Sequence, residues 1–280
     1  MSGPFRLNRA LIRVSGPDAG GFLSNLLTQD VDAHDERGVR YVALLTPQGK
    51  IIADMFAWPD AGDGIVLEMS PEKEADVTRR LSMYKLRADV TFETITGQFH
   101  LLYSPVFFRG SSPDPRFPDG ELGWREFCPL PTEQYDFPVG DTEYDAHRLR
   151  LGVPDLARDA AADEVFALEA LLEELHGVDF KKGCFIGQEN VSRMKRRATT
   201  RKKFCPIVFE GEAIAYGAPV LAGDAEIGSV RTGAAGRAIA LLRLDRALEA
   251  IDAGTPLTAG GRNVRLDCPP WLILPAREQG

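Results

Sequence analysis

An eight-residue segment of this chain reads Lys182-Gly183-Cys184-Phe185-Ile186-Gly187-Gln188-Glu189. The apolar spacing on either side predicts that the segment joins two helices, and that the second helix starts close to Gly187. Cys184 would then lie just before a helix N-terminus, with Lys181 and Lys182 nearby. The helix dipole and the ammonium groups both favour thiolate over thiol, so we expect Cys184 to ionise most easily of the four cysteines. Gly183 and Gly187 allow tight turns or the close approach of a ligand to the backbone.

This arrangement indicates a nucleophilic or redox-active thiol, or a single ligand to a shared metal centre. The alternative is a small buried hydrophobic residue, which is the usual state of a lone cysteine. Spacing alone favours that alternative, because no histidine is adjacent in the sequence. The four histidines are scattered, and each is expected to be a surface or packing residue: His34, His100, His147 and His176.

The composition is that of an ordinary folded protein, with 44% hydrophobic and 26% charged residues. A net charge of -8 argues against direct nucleic-acid binding. No apolar run approaches the roughly 20 residues that cross a bilayer, so no membrane partner is expected. The first residues do not form a secretory signal, which predicts a cytoplasmic protein. The spacing of the cysteines predicts neither a structural zinc site nor a disulfide framework; they are Cys128, Cys184, Cys205 and Cys268.

The pattern of apolar runs changes near residue 200. Residues 1–199 interleave strands with helices and include a hairpin turn at residues 46–49, which predicts an α+β body. Strands are expected at 10–14, 39–45, 50–58, 64–69, 88–95 and 100–108, and helices at 18–27, 71–86, 141–151, 166–175 and 187–197. Residues 110–120 and 152–163 are expected to be loops. Residues 200–280 contain short apolar runs separated by glycine-containing turns, which predicts a small antiparallel β-barrel domain.

The eight-residue segment resembles the signature of the YgfZ-type folate-binding proteins, which include a mitochondrial iron–sulfur maturation factor. Residues 15–30 and 45–54 resemble the N-terminal blocks of that family, in the same order. The resemblance covers most of the chain and is weakest over residues 96–140. It implies a folate-binding fold similar to the aminomethyltransferase (T protein) of the glycine cleavage system. In that fold a body of α/β subdomains surrounds a central hole and carries a C-terminal barrel. Members of the family support iron–sulfur cluster assembly or repair and, through it, certain tRNA modifications.

The resemblance also implies a site for tetrahydrofolate or a folate derivative. The carboxylate of Glu169 would accept hydrogen bonds from the amino and ring N–H edge of a pterin; the alternative is a solvated helix glutamate. Ala167 stands where the family usually has proline, and Leu171 where asparagine is common. The T protein has an aspartate at the position of Cys184, which favours thiol chemistry over plain aminomethyl transfer. The other residues assigned to the folate site are Lys182, Gly183, Phe185, Gly187, Gln188, Glu189 and Arg196.

Seven basic residues fall within the eleven residues 193–203 of this acidic chain. An ordinary explanation is a solvated helix end, since cations suit a helix C-terminus. The other explanation is a site for a folate glutamate tail or for an RNA or protein partner. These two explanations stay open.

Three functions compete. The first is a folate-binding accessory protein for iron–sulfur cluster assembly that acts through Cys184, with cluster-assembly proteins or client enzymes as partners. The second is a tetrahydrofolate-dependent one-carbon transferase, either an aminomethyltransferase or a demethylase. The third is a structural scaffold that needs neither folate nor the thiol. One cysteine cannot hold a cluster alone, since such centres usually need four protein thiolates.

Overall fold

The structure is a computed structural model that describes residues 3–31, 38–60, 64–130, 136–161, 163–198 and 200–275. The chain forms two compact units. Unit 1 consists of Met1–Tyr144 and Leu175–Gln188, and unit 2 consists of Asp145–Glu174 and Glu189–Gly280. The expected division into domains at residues 199 and 200 stays a prediction. Among the helices in the described ranges, none has the length and apolar character needed to span a bilayer.

Unit 1 contains two antiparallel sheets. Its strands are β1 Phe5–Leu7, β2 Ala10–Ser15, β3 Arg40–Leu45, β4 Ile51–Pro59, β5 Ile65–Met69, β6 Thr91–Thr94, β7 Phe99–Ser104, β8 Ser112–Pro113 and β9 Trp124–Pro129. Its helices are α1 Ala19–Leu26 and α2 Glu74–Lys85, and α3 Asp141–Leu151 begins in this unit. The five-stranded sheet has the order β3-β4-β5-β2-β6, and the four-stranded sheet has the order β1-β7-β9-β8. Leu23 of α1 belongs to the same fully buried core as Val42 and Met55 of the larger sheet.

The predicted hairpin between β3 and β4 is confirmed. The Gly49 N–H donates to the Thr46 carbonyl at 2.8 Å, and the Thr46 N–H donates to the Lys50 carbonyl at the same distance of 2.8 Å. Gly49 has a φ of +82°, a conformation that glycine adopts without steric cost. Thr46 and Gly49 of this turn also contact Gly187, three residues after Cys184.

Unit 2 contains the predicted barrel. Six strands form a closed barrel in the order β10-β13-β12-β11-β14-β15. They are β10 Lys202–Phe209, β11 Pro219–Ala222, β12 Ala225–Ala234, β13 Arg237–Arg243, β14 Leu257–Ala259 and β15 Arg262–Leu266. The helices of this unit are α4 Leu156–Asp159, α5 Gln188–Arg197 from its second residue onward, and α6 Leu244–Asp252. The sequence did not indicate β14, since a strand of three residues is too short to show an alternating pattern.

The helix predicted over residues 166–175 is not formed. The segment is a series of turns in which Leu171 has a left-handed φ of +63°. The Leu172 N–H donates to the Ala167 carbonyl, five residues back, instead of continuing the helical ladder. Ala167, Leu168, Ala170 and Leu171 are all buried, so the apolar positions are covered on every side. The spacing that suggested an amphipathic helix comes from a series of turns whose alanines and leucines are buried.

Other differences are smaller. The helix predicted from Pro71 begins with a 3-10 turn, Pro71–Lys73, and α2 follows from Glu74. Ser70 was expected to cap that helix, but its hydroxyl donates to the carboxylate of Glu72. The loop expected over residues 110–120 contains β8, and the loop expected over residues 152–163 contains α4.

Candidate functional site: an anchored surface thiol and an arginine-lined cavity

Residues 181–188, which we call the thiol segment, lie in unit 1 and are fixed first through Lys182. Its ammonium donates to three backbone carbonyls: that of Ser24, that of Leu27 at 2.8 Å and that of Gln29 at 2.9 Å. These carbonyls belong to the last turn of α1 and the residues after it, where helical carbonyls lack intrahelical partners. Burial lowers the pKa of Lys182 to about 8, so the ammonium is still the main form at neutral pH.

An ammonium has three N–H donors, and all three are used here. The Lys182 Nζ also lies 5.3 Å from the centre of the Phe185 ring, within the range of a cation–π contact. Lys182 therefore anchors the thiol segment to the end of α1, and its three donors are engaged by backbone carbonyls rather than open to a folate. It also lacks a spare donor for the thiolate that the sequence placed beside it.

Replacing Lys182 by methionine, which has a similar length but no charge, is expected to lower the free energy of unfolding by roughly 1–3 kcal/mol, because partly buried carbonyls lose a charged donor. Faster amide exchange is expected over residues 182–186. Urea denaturation and hydrogen exchange measure the two effects. Lys181→Met is the matched control: Lys181 is exposed, so a change within about 0.5 kcal/mol is expected. Equal effects of the two substitutions would contradict the anchoring role.

The second fixed point of the thiol segment follows the cysteine. Phe185 is buried, and Ile186 packs against the hydrophobic core of unit 1. Gly187 has a φ of +83°, and a Cβ at this position would lie 2.6 Å from the Thr46 carbonyl oxygen. The hairpin turn of β3 and β4 thus contacts Gly187 so closely that no side chain fits. Gly187 meets a steric requirement of the fold, and the buried Phe185 presents little surface to a ligand.

Cys184 lies between these two fixed points and is exposed. The Gln188 side-chain amide donates to the Gly183 carbonyl at 3.2 Å, and the Gln188 N–H donates to the Phe185 carbonyl at 3.2 Å. These bonds close a short loop around the thiol. Helix α5 starts at Gln188, as the sequence predicted. The description of a buried small hydrophobic residue fits Cys205 and not Cys184.

Gly183 differs from Gly187 in its surroundings. It is exposed, its φ is not positive, and an added Cβ would meet no atom within 4 Å. Glycine is therefore not required by the fold at this position, and the backbone beside the thiol is open to an approaching molecule.

Glu169 lies in unit 2 and lines a cavity of about 530 Å³, here called the Glu169 cavity. Its lining residues are Phe166, Glu169, Asn190, Arg193, Met194 and Arg197. One carboxylate oxygen of Glu169 accepts a hydrogen bond from the Phe166 N–H at 2.9 Å, which holds the side chain in the turn that replaced the predicted helix. The lining combines a carboxylate, two guanidinium groups, an aromatic ring and a thioether. Such a set can bind a flat heteroaromatic group that has N–H donors on one edge and an anionic substituent.

The assignment of Arg196 to the folate site stays a prediction, and the lining of this cavity contains two other arginines. Arg196 is exposed and does not line it, whereas Arg193 and Arg197 do. The four cavity residues of α5 are spaced i, i+3, i+4 and i+7, which is one face of a helix; they are Asn190, Arg193, Met194 and Arg197. Glu189 is exposed and also lies off the cavity lining. Applying the helical period to the basic run would have identified the two arginines.

The basic side chains of residues 193–203 have different partners and different exposure. Lys195 forms an ion pair with Glu173 at 2.5 Å, and the buried Lys203 pairs with Glu174 and donates to the Ile273 carbonyl at 2.9 Å. The solvated-end explanation therefore does not describe Lys203. Of the histidines, His147 is buried, His100 is half-buried and His176 is exposed, while His34 lies outside the described residues.

The site residues fall into two groups. Unit 1 brings together Lys182, Gly183, Cys184, Phe185, Gly187 and Gln188, and unit 2 brings Glu169 together with Arg193 and Arg197. In the part of the chain that the structure describes, no three His, Cys, Asp or Glu side chains gather into a group able to hold a metal ion.

Comparison with known proteins identifies the family. Residues 201–273 match the family described as CAF17, C-terminal beta-barrel domain. The iron-sulfur cluster assembly factor IBA57, mitochondrial, of Mus musculus is 30% identical over 85% of this chain and 77% of its own length. The chain belongs to the CAF17/IBA57 family. The IBA57 homolog of Pyricularia oryzae is also 30% identical, over 72% of this chain. The chain spans little more than half the length of the fungal relatives, with 54% of the Neurospora crassa protein and 56% of the Pyricularia oryzae protein covered.

A solved structure confirms the fold class. The glycine cleavage system aminomethyltransferase T from Bartonella henselae superimposes on 97% of this chain and 86% of its own chain, with a TM-score of 0.75 and 17% sequence identity. The CAF17/IBA57-family chain therefore has the aminomethyltransferase-like fold, with mixed α/β structure and a C-terminal closed barrel of six antiparallel strands.

The comparisons make one expectation more specific and correct another. The resemblance named YgfZ-type proteins, which are a related family, whereas the relatives found are IBA57 factors. The expected cytoplasmic location is wrong, because the curated CAF17/IBA57 relatives are mitochondrial proteins. Composition and net charge do not distinguish these two compartments, so the sequence argument excluded secretion and then assigned the remaining location by default.

Proposed function

We propose that this chain is an accessory factor in iron–sulfur cluster assembly and acts through the thiol of Cys184. The observation that carries the proposal is the exposed sulfur between two fixed points in a CAF17/IBA57-family chain. An exposed cysteine on a loose loop would lose conformational freedom on each encounter with a partner. The Lys182 anchor and the Gly187 contact remove most of that cost before binding.

The proposed role of the thiol is to contribute one sulfur to a cluster that is cargo. Cluster ligands are usually four thiolates, so Cys184 would supply one and a partner protein or a small thiol would supply the others. Exposure of Cys184 suits this role, since a shared ligand must be reachable from a second molecule. The partners are cluster-assembly proteins or the enzymes that receive clusters.

We further propose that the Glu169 cavity binds tetrahydrofolate or a related folate. The Glu169 carboxylate, held by the bond from the Phe166 N–H, would accept hydrogen bonds from the N–H edge of a pterin. Phe166 and Met194 offer apolar surface to the ring, and Arg193 and Arg197 offer charge to the carboxylates of a glutamate tail. The volume of about 530 Å³ is in the range of cofactor pockets. Bound tetrahydrofolate would supply a reduced pterin that can carry a one-carbon unit.

Titration of the purified chain with tetrahydrofolate, followed by calorimetry and tryptophan fluorescence, tests the folate proposal. Saturable binding is expected, and Glu169→Gln is expected to weaken it by roughly ten- to a hundredfold, because a charged acceptor is lost while the bond from the Phe166 N–H is kept. Arg196→Gln is the control and should bind like the unmodified chain. Absence of saturable binding, or equal affinity of Glu169→Gln, would remove folate from the proposal and leave the thiol role standing.

A further inference from the structure

Two of the other cysteines meet inside unit 2, although 63 positions separate them in the sequence. The Sγ atoms of Cys205 and Cys268 lie 3.6 Å apart, and both residues are free thiols. Cys205 is fully buried in β10, whereas Cys268 follows β15 and is half-exposed. Sequence spacing gave no sign of this contact, because the closure of the barrel creates it.

The register of the barrel makes the two residues direct cross-strand neighbours. Strands β10 and β15 are antiparallel, and Ile207 of β10 lies opposite Leu266 of β15. The Asp267 N–H donates to the Pro206 carbonyl at 2.9 Å, which extends the ladder by one residue pair. The next pair is Cys205 with Cys268.

This position in the ladder suits a disulfide. The pair of residues 206 and 267 is hydrogen-bonded, so the following pair is a non-hydrogen-bonded one. Non-hydrogen-bonded pairs in antiparallel sheets have Cα atoms about 4.5 Å apart with side chains close together. Bridged cysteines need Cα separations of about 4.4–6.8 Å, so the strands would not have to move apart or together to accept the bond.

From this geometry we infer that Cys205 and Cys268 form a reversible thiol–disulfide couple that covalently closes the barrel seam between β10 and β15. The ladder between these strands consists of three residue pairs, so a covalent bond at its end would add a substantial constraint. The inference does not depend on Cys184 or on folate.

The step requires an oxidant, for which we name a low-molecular-weight disulfide such as oxidised glutathione. The thiolate of the half-exposed Cys268 attacks one sulfur of the oxidant and expels the first thiolate leaving group, forming a mixed disulfide. The sulfur of Cys205 then attacks the Cys268 sulfur and expels the second thiolate, which takes up the proton of the Cys205 thiol. Two protein thiols are oxidised to one disulfide, and the oxidant is reduced to two thiols.

The assignment of Cys268 as the first nucleophile has independent support. The contact between the two sulfurs lowers the pKa of Cys268, and the same contact, together with burial, raises the pKa of Cys205. Cys268 is also the more accessible of the two sulfurs. Cys268 is therefore both the more accessible cysteine and the one that forms a thiolate more easily, and attack on a disulfide requires both properties.

The bond would link the start of β10 to the chain that follows the barrel. Strands β11 to β15 and helix α6 lie between the two cysteines in sequence, so the covalent loop encloses most of the barrel. The two chain segments would then stay linked at this point when the barrel unfolds. Oxidation is expected to stabilise unit 2 by restricting its unfolded state.

The test uses the full chain incubated with oxidised glutathione or with dithiothreitol, followed by non-reducing peptide mapping and thermal melting. A peptide pair linked through Cys205 and Cys268 is expected after oxidation, with a Tm several degrees above that of the reduced chain. Cys268→Ser, a change at a half-exposed position, should fold normally and show neither the link nor the rise in Tm. Cys128→Ser should show both. Glutathione adducts without a link between residues 205 and 268, or a link with unchanged Tm, would overturn the inference.

Discussion

Replacing Cys184 by serine is expected to leave the fold unchanged and to abolish the chain's support of iron–sulfur cluster assembly. The side chain is exposed, so a hydroxyl in place of the thiol disturbs no packing. A serine hydroxyl neither ionises near neutral pH nor binds iron as a thiolate does, so the proposed chemistry loses its reacting atom. Growth of cells that lack their own factor of this family measures the effect, with the chain directed to the compartment in which the host factor works.

The matched control for this substitution is Cys128→Ser, which changes a half-buried cysteine of β9 in the same unit. It should restore growth like the unmodified chain, and Cys184→Ser should fail while its Tm stays within about 1 °C of the original. Full growth with Cys184→Ser would remove the thiol from the mechanism. Failure of both variants would point to a general sensitivity of unit 1.

Replacing Gly187 by alanine is expected to cause the largest loss of stability among single changes in the thiol segment, about 2–5 kcal/mol. A left-handed conformation costs an L-residue roughly 1–2 kcal/mol, and forcing a methyl group into a filled space adds about 1–3 kcal/mol. The new Cβ would lie 2.6 Å from the Thr46 carbonyl oxygen and 2.9 Å from the Gly49 Cα. Both atoms are backbone atoms of a tight turn, so they cannot rotate away. Chemical denaturation measures the change.

Gly183→Ala provides a control four positions away. Its methyl group would meet no atom within 4 Å, so stability should change by no more than about 0.5 kcal/mol. Similar losses for the two alanine variants would mean that the contact between Gly187 and the hairpin turn does not fix the segment.

The parts of the fold that could be predicted are those determined by short stretches of sequence. The turn at residues 46–49 needs only its proline and glycine, and the barrel strands need only alternating apolar residues between glycines. The start of α5 at Gln188 followed from the flanking glycine and the change of periodicity. Each of these features depends on neighbours a few residues away.

The features that could not be predicted depend on distant residues. Lys182 binds the carbonyl of Leu27, which lies 155 positions away in the sequence. The anchoring role of Lys182 could therefore not be predicted from the segment around it. The apolar spacing of residues 166–175 has the same appearance in an amphipathic helix and in a series of turns with buried alanines and leucines. The contact between Cys205 and Cys268 exists only once the barrel closes.

The residues assigned to the candidate site from the sequence stay predictions, and the structure adds their surroundings. Cys184 and Glu169 were both chosen, through a resemblance carried by the segment around the cysteine. Arg193 and Arg197, which line the cavity with Glu169, were not singled out, because the basic run was not read with the period of a helix. A helical projection of α5 places Arg193 and Arg197 on one face with Asn190.

Delivery of radiolabelled iron to a cluster-dependent client enzyme measures the central claim most directly, in cells whose only factor of this family is the chain or its variants. At matched protein levels, the unmodified chain and Cys128→Ser are expected to load the client, and Cys184→Ser is expected to leave it without iron. Equal iron in the client with Cys184→Ser would contradict the claim that the exposed thiol of this segment is what the chain contributes.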